Sequence, residues 1–212
     1  MFSITLTIIV ITCLVSFAAF NNEKIKSDLL FWPAAIQDQK QYYRFFSYGV
    51  IHGDLMHLGF NMLTLYSFGT MVEKYSFASV FENKANLFYL ALYLSAIVIS
   101  TIPDYFKHKN DPSYLALGAS GAVSAIIFAG IILNPKIELS IIFLPFLRIP
   151  GYVFGILFLV ISAYLAKRGR SNIGHGAHFT GAVYGLLFTI IATKVYSGYD
   201  AMGIFYHSIM TR

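Results

Sequence analysis

The chain has 212 residues and a formal charge of +5, and 57% of it is hydrophobic, 17% aromatic and only 12% charged. A soluble domain of this size carries about a quarter charged residues, so the composition argues against a water-soluble globule and for a chain solvated mostly by lipid. The basic residues are scattered between apolar runs, which fits membrane-flanking charge rather than a nucleic-acid surface.

Crossing a hydrocarbon core takes about 20 apolar residues in a helix, and six uncharged stretches approach or exceed that length. The first runs over residues 2–20; without a basic leading segment, it reads as a retained helix rather than a cleaved signal. Its one cysteine, Cys13, has no intramolecular disulfide partner and reads as a packing residue. The second stretch covers 55–72, between Asp54 and Glu73, and the third 85–102, between Lys84 and Asp104. The fourth covers 114–135, the fifth 149–166 and the sixth 171–193, each bounded by charged residues. A nine-residue apolar run, 139–147, contains Pro145 and is too short to span, so it reads as an interfacial or re-entrant piece. The expected fold is therefore an all-α, six-span bundle forming a single membrane domain over residues 1–212, without internal repeats.

The connection from Asn21 to about Gly53 is long and aromatic, holding Phe31, Trp32, Tyr42, Tyr43, Phe45, Phe46 and Tyr48 with Lys40 and Arg44. Rings interleaved with basic residues suit the headgroup region. An ordinary aromatic belt would explain them; a folded loop lying partly in the outer leaflet is the sharper reading.

Polar groups inside a span are costly and by default mark a functional interior. The second span carries His57 and Asn61, whose i, i+4 spacing puts both on one helix face, with His52 just before it. As an isolated pair they read as interhelical hydrogen-bonding groups. The fourth span contains Gly118-Ala119-Ser120-Gly121. A serine between glycines at a helix start exposes its hydroxyl beside free backbone N–H groups, which can hold an oxyanion. Gly121, Ala125 and Ala129 form a small-residue stripe along the same span, and Ala177, Gly181 and Gly185 form another along the sixth. If the two stripes pack together, His178 meets Ser120 and supplies the base that a serine nucleophile needs. Neither span contains an Asp or Glu, so the expected catalytic unit is a Ser120–His178 dyad. Glu73, closing the second span, is assigned a structural role.

Taken together, His57-x-x-x-Asn61, Gly118-Ala119-Ser120-Gly121, Ala177-His178-x-x-Gly181 and Gly69-x-x-x-Glu73 resemble the rhomboid intramembrane serine proteases, in the minimal six-helix bacterial form. Each motif is weak alone; their joint order across nearly the whole chain is specific. The resemblance implies that Ser120 attacks the scissile carbonyl and His178 takes its proton. It implies an oxyanion and substrate-binding group comprising His57, Asn61, Gly118, Ala119 and His52. The implied substrates are transmembrane proteins cut within the bilayer of a bacterial inner membrane, with no cofactor or metal and no nucleic-acid partner. This sequence departs from the family pattern at Ser124, where many relatives have a tyrosine that stacks on the histidine, and at Tyr43-Arg44, where they have Trp-Arg.

With the family's cytoplasmic N-terminus, inside segments carry Lys74, Lys84, Lys136, Arg148, Lys194 and Arg212, and outside segments carry nine Lys or Arg. The charge bias therefore runs against that orientation, and the motifs carry it. Among rivals, a zinc protease would want H-E-x-x-H, which the sequence lacks. Metal or haem ligation by His52, His57, His175 and His178 leaves Ser120 and its glycines unexplained. A transporter would more often show repeated halves. A catalytically silent relative that binds transmembrane helices is the remaining alternative.

Overall fold

A computed structural model describes residues 3–141, 144–168 and 174–211. Helices occupy each of the six predicted positions. Helix α1 (Ile4–Phe20) is followed by a helical first connection made of α2 (Glu23–Leu29), α3 (Pro33–Gln39) and α4 (Arg44–Ser47). The second position starts with α5 (Leu55–Thr64) and continues through wide π-type turns at Leu65–Gly69 and Val72–Ser76 into α6 (Phe77–Phe81). Helix α7 (Ala85–Ile99) and the short α8 (Ile102–His108) follow, then α9 (Ser120–Leu133), α10 (Gly151–Arg168), α11 (His175–Ser197) and α12 (Ala201–Met210). Among the described residues, three stretches are long and apolar enough to cross a membrane: Leu55–His108, which turns back at Glu82, Gly151–Arg168 and His175–Ser197. Helices α1 and α9 are apolar but shorter.

One expectation needs correcting, and two elements add detail to the rest. The apolar pattern predicts a fourth span over 114–135, but α9 begins only at Ser120. Residues 114–119 cannot join it because Gly118 takes φ +106°, outside the helical region, and because Ala116 pairs with Phe31 through two backbone hydrogen bonds of 2.9 and 3.0 Å. The described part of the apolar run 139–147, read as an interfacial or re-entrant piece, lies in a two-stranded antiparallel ribbon, β1 (Glu138–Ile141) with β2 (Leu144–Pro150), whose register pairs Leu139 with Ile149; residues 142–143 lie outside the described ones. Backbone pairing between two short strands satisfies N–H and C=O groups that a nine-residue helix would leave open at its ends. Helix α12 has no counterpart among the predicted elements. The first two residues of the chain, where the expected first span begins, and residues 171–173 of the sixth lie outside the described residues.

Helices α9 and α11 form the centre. A Cβ at Gly181 would strike the backbone carbonyl of Gly121, and one at Gly185 the backbone carbonyl of Ala125. The two small-residue stripes therefore face each other at backbone-contact distance, a separation that larger side chains cannot reach. Nearly all of α9 is buried. Around it pack Phe31, Tyr48, Leu65, Tyr89 and Leu92 from the first connection, the second position and α7.

Glu73 has a defined structural task. Its carboxylate accepts hydrogen bonds from the Ile4 and Thr5 N–H groups at 2.7 and 3.0 Å and from the Ser3 hydroxyl at 2.9 Å. These are donors at the start of α1 that no helical carbonyl can reach, so Glu73 caps one helix from another. Buried Arg44 does the same for the first connection: it donates to the Ser27 and Leu30 carbonyls at 2.9 and 2.8 Å and lies over the Trp32 and Tyr43 rings.

Candidate active site

Helices α5, α9 and α11 all begin at the same end of the bundle, around a cavity of about 640 Å³. Their first turns, whose leading N–H groups have no carbonyl one turn earlier within the helix, bring the positive ends of three helix dipoles toward it. Ser120 is the first residue of α9, and the bend that presents it is set by Gly118. The φ of +106° suits glycine, and a Cβ there would also lie 2.8–2.9 Å from Cε1 and Nε2 of His57. The Gly118 N–H is held by the Tyr48 carbonyl at 2.9 Å. Ala119 is fully buried behind the turn and its carbonyl accepts the Val123 N–H at 3.0 Å.

The Ser120 hydroxyl stands 2.6 Å from His178 Nε2. Both side chains are half-buried, and both line the cavity. The contact joins residues 58 apart in sequence, and it exists because α9 and α11 touch through Gly121, Gly181, Ala125 and Gly185 directly below it. Ser124, one turn after the serine, turns its hydroxyl back to the Ser120 carbonyl at 2.8 Å. Two rings neighbour the histidine: His175 on its own helix, edge-on at 5.8 Å, and Phe158 of α10, 6.3 Å away at 32°, inside the range of favourable ring pairs.

His57 and Asn61 also line the cavity. Asp54 caps α5 by accepting the His57 N–H at 2.8 Å, which fixes the turn that carries the imidazole. The Asn61 amide donates to the His57 carbonyl at 3.1 Å; the same nitrogen carries a second hydrogen that can serve a bound oxyanion. His52 is placed differently. It is fully buried and does not line the cavity; its Nδ1 pairs with the Ser16 hydroxyl at 3.1 Å, and its ring meets His57 edge-on at 4.9 Å. Burial, helped by the neighbouring His57, pushes its pKa down to about 3 against the opposing pull of Asp54, so it is a neutral ring that backs His57.

Thus Ser120, His178, His57, Asn61 and Gly118 come together at one cavity, while Ala119 and His52 stand behind it. Sequence reasoning missed two wall residues. Phe158 carried no signal, being one apolar residue in an apolar helix. Asp104 served only to mark the end of a span, yet it lines the same cavity.

Comparison with known proteins places the chain in a family. A family model described as the Rhomboid domain matches residues 39–195. The Rhomboid protease GlpG of Haemophilus influenzae is 24% identical over 79% of this chain and 78% of its own length. The RHOMBOID-like protein 12, mitochondrial, of Arabidopsis thaliana is 32% identical over 62% of this chain, and the human Presenilin-associated rhomboid-like protein, mitochondrial, is 28% identical over 76%. The matches span only 40% and 41% of those two relatives. A family model covering most of the chain, on helices apolar enough to cross a bilayer, makes this multi-pass membrane protein a member of the rhomboid family.

Proposed function

We propose that the chain is an intramembrane serine endopeptidase that cuts transmembrane proteins with a Ser120–His178 dyad in a six-span domain. The observation that carries the reading is the 2.6 Å contact between Ser120 Oγ and His178 Nε2 at the wall of the cavity where α5, α9 and α11 begin. His178 takes the proton as Oγ attacks the scissile carbonyl, and returns it to the leaving amine. Water then attacks the acyl-enzyme, with the same imidazole as base. The oxyanion is received by the Ser120 N–H at the start of α9, by the Asn61 amide and by the His57 ring. Gly118 and Ala119 shape that turn, and His52 holds His57. The chain needs no cofactor for this chemistry.

The test is cleavage of a reporter transmembrane substrate with the cut site mapped, beside labelling by a fluorophosphonate probe. Labelling and cleavage that both vanish in Ser120→Ala support the reading. A folded wild type that neither labels nor cuts, but retains the reporter helix, is instead a silent helix-binding relative.

Two graded effects follow from the geometry. Asn61→Ala removes one oxyanion donor and is expected to slow cleavage roughly 100-fold, leaving a rate still measurable above Ser120→Ala. Phe158→Ala removes a ring contact worth about 1 kcal/mol, so turnover is expected to fall roughly five-fold with folding retained. Unchanged turnover in Phe158→Ala would show that the His178 ring is held without it. For the compartment, the match over 78% of a bacterial relative supports a bacterial cell membrane. Relatives named mitochondrial pull the other way, and membrane fractionation of the native protein distinguishes the two.

A further inference from the structure

The dyad side chains stand at the cavity end of the contact between α9 and α11. There the Gly121 position faces the Gly181 backbone and, at 3.2 Å from an added Cβ, the Ala177 carbonyl in the first turn of α11. A third element also borders this end of the contact.

Asp104, on α8, stands there. Its carboxylate lies against the first turn of α11: a Cβ at Gly176, two residues before His178, would sit 3.1 Å from Oδ1 and 3.8 Å from Oδ2. That turn has N–H groups without intrahelical partners and the positive end of the dipole of a 23-residue helix, so a carboxylate is favoured there, and glycine lets it approach. Tyr114, six residues before Ser120 on the segment that enters α9, is tied to the same helix α8, its ring stacked on His108 at 3.8 Å and 7°. Through α8 the carboxylate therefore links the chain leading to the nucleophile with the turn carrying the base, and it borders the same cavity.

We infer that Asp104 is a positioning residue that sets the Ser120–His178 separation by pinning the first turn of α11 to the segment entering α9. It is not a third member of a charge-relay triad, since it acts on the backbone turn and not on the imidazole nitrogen. The inference rests on the serine-protease reading for its kinetic consequence and on the fold alone for its structural one.

The experiment compares wild type, Asp104→Ala and Asp104→Asn in cleavage of a reporter transmembrane substrate and in hydrogen exchange of the peptide covering 174–182. A misplacement of about 1 Å in a reacting pair costs on the order of 100-fold. Asp104→Ala is expected to lose kcat on that scale with KM within about two-fold of wild type, and its amides at 175–181 are expected to exchange roughly ten-fold faster. Asparagine keeps the shape and one acceptor oxygen and is expected to restore most of both. A folded Asp104→Ala with wild-type kcat overturns the inference. So does an Asp104→Asn that folds but loses as much kcat as the alanine variant, or a rise in KM in place of the fall in kcat. If the wild type fails to label with a fluorophosphonate, the serine-protease reading falls, while unchanged exchange at 175–181 in Asp104→Ala separately sinks the positioning role.

Discussion

Ser120→Ala is expected to abolish cleavage, a loss of roughly six orders of magnitude by analogy with removing the nucleophile of a soluble serine protease, with no loss of folded protein. The hydroxyl makes its contact with His178 at 2.6 Å and supports no helix packing, so its removal leaves α9 and α11 in place. His178→Ala should fall to the same floor, and the double variant should be no worse, because the two groups act as a unit. A parallel thermal melt in detergent separates lost chemistry from lost fold. Residual cleavage above about one per cent in either variant would count against the dyad.

Gly181→Val is expected to act through the fold instead. The first side-chain carbon already meets the Gly121 carbonyl, and a backbone carbonyl cannot rotate away as a side chain can. The helices must separate, and overpacking of this kind costs about 3 kcal/mol. Because the contact lies directly below Ser120 and His178, the separation also pulls the reacting groups apart. Both the melting temperature and the yield of folded protein should fall, with activity lost even in the fraction that folds. Gly185→Val, against the Ala125 carbonyl, should lower stability similarly but disturb the dyad less, since it lies one turn further away. Wild-type melting in both variants would mean that the two stripes do not hold α9 against α11.

Much of this arrangement is legible in the residues alone. The apolar runs locate the helices because a bilayer demands long uncharged segments with every backbone group paired internally. The small-residue stripes on the fourth and sixth spans announce their contact, because only side chains of that size permit it. The reverse turn at Gly118 and the strand-like segment before it are not legible in this way. An apolar stretch such as Tyr114–Pro135 looks continuous in sequence, and what breaks it is the pairing of Ala116 with Phe31, a residue remote along the chain. The ribbon at 138–150 is hidden for a similar reason: a short apolar run does not say whether it is helix or strand until its partner strand is known.

The sequence by itself determined that the chain lives in a membrane, where its helices lie, and that Ser120, His178, His57 and Asn61 are the polar residues worth following. Those conclusions rest on local facts, namely charge, hydrophobic length and residue size, which act along a single segment. The tertiary structure alone decided which groups meet: that Phe158 lies beside the histidine ring, that His52 backs His57 without reaching the cavity, and that Asp104 borders it. Each of these depends on how one helix is rotated and shifted against another. Close packing sets such relations through every contact at once, and no single segment carries them.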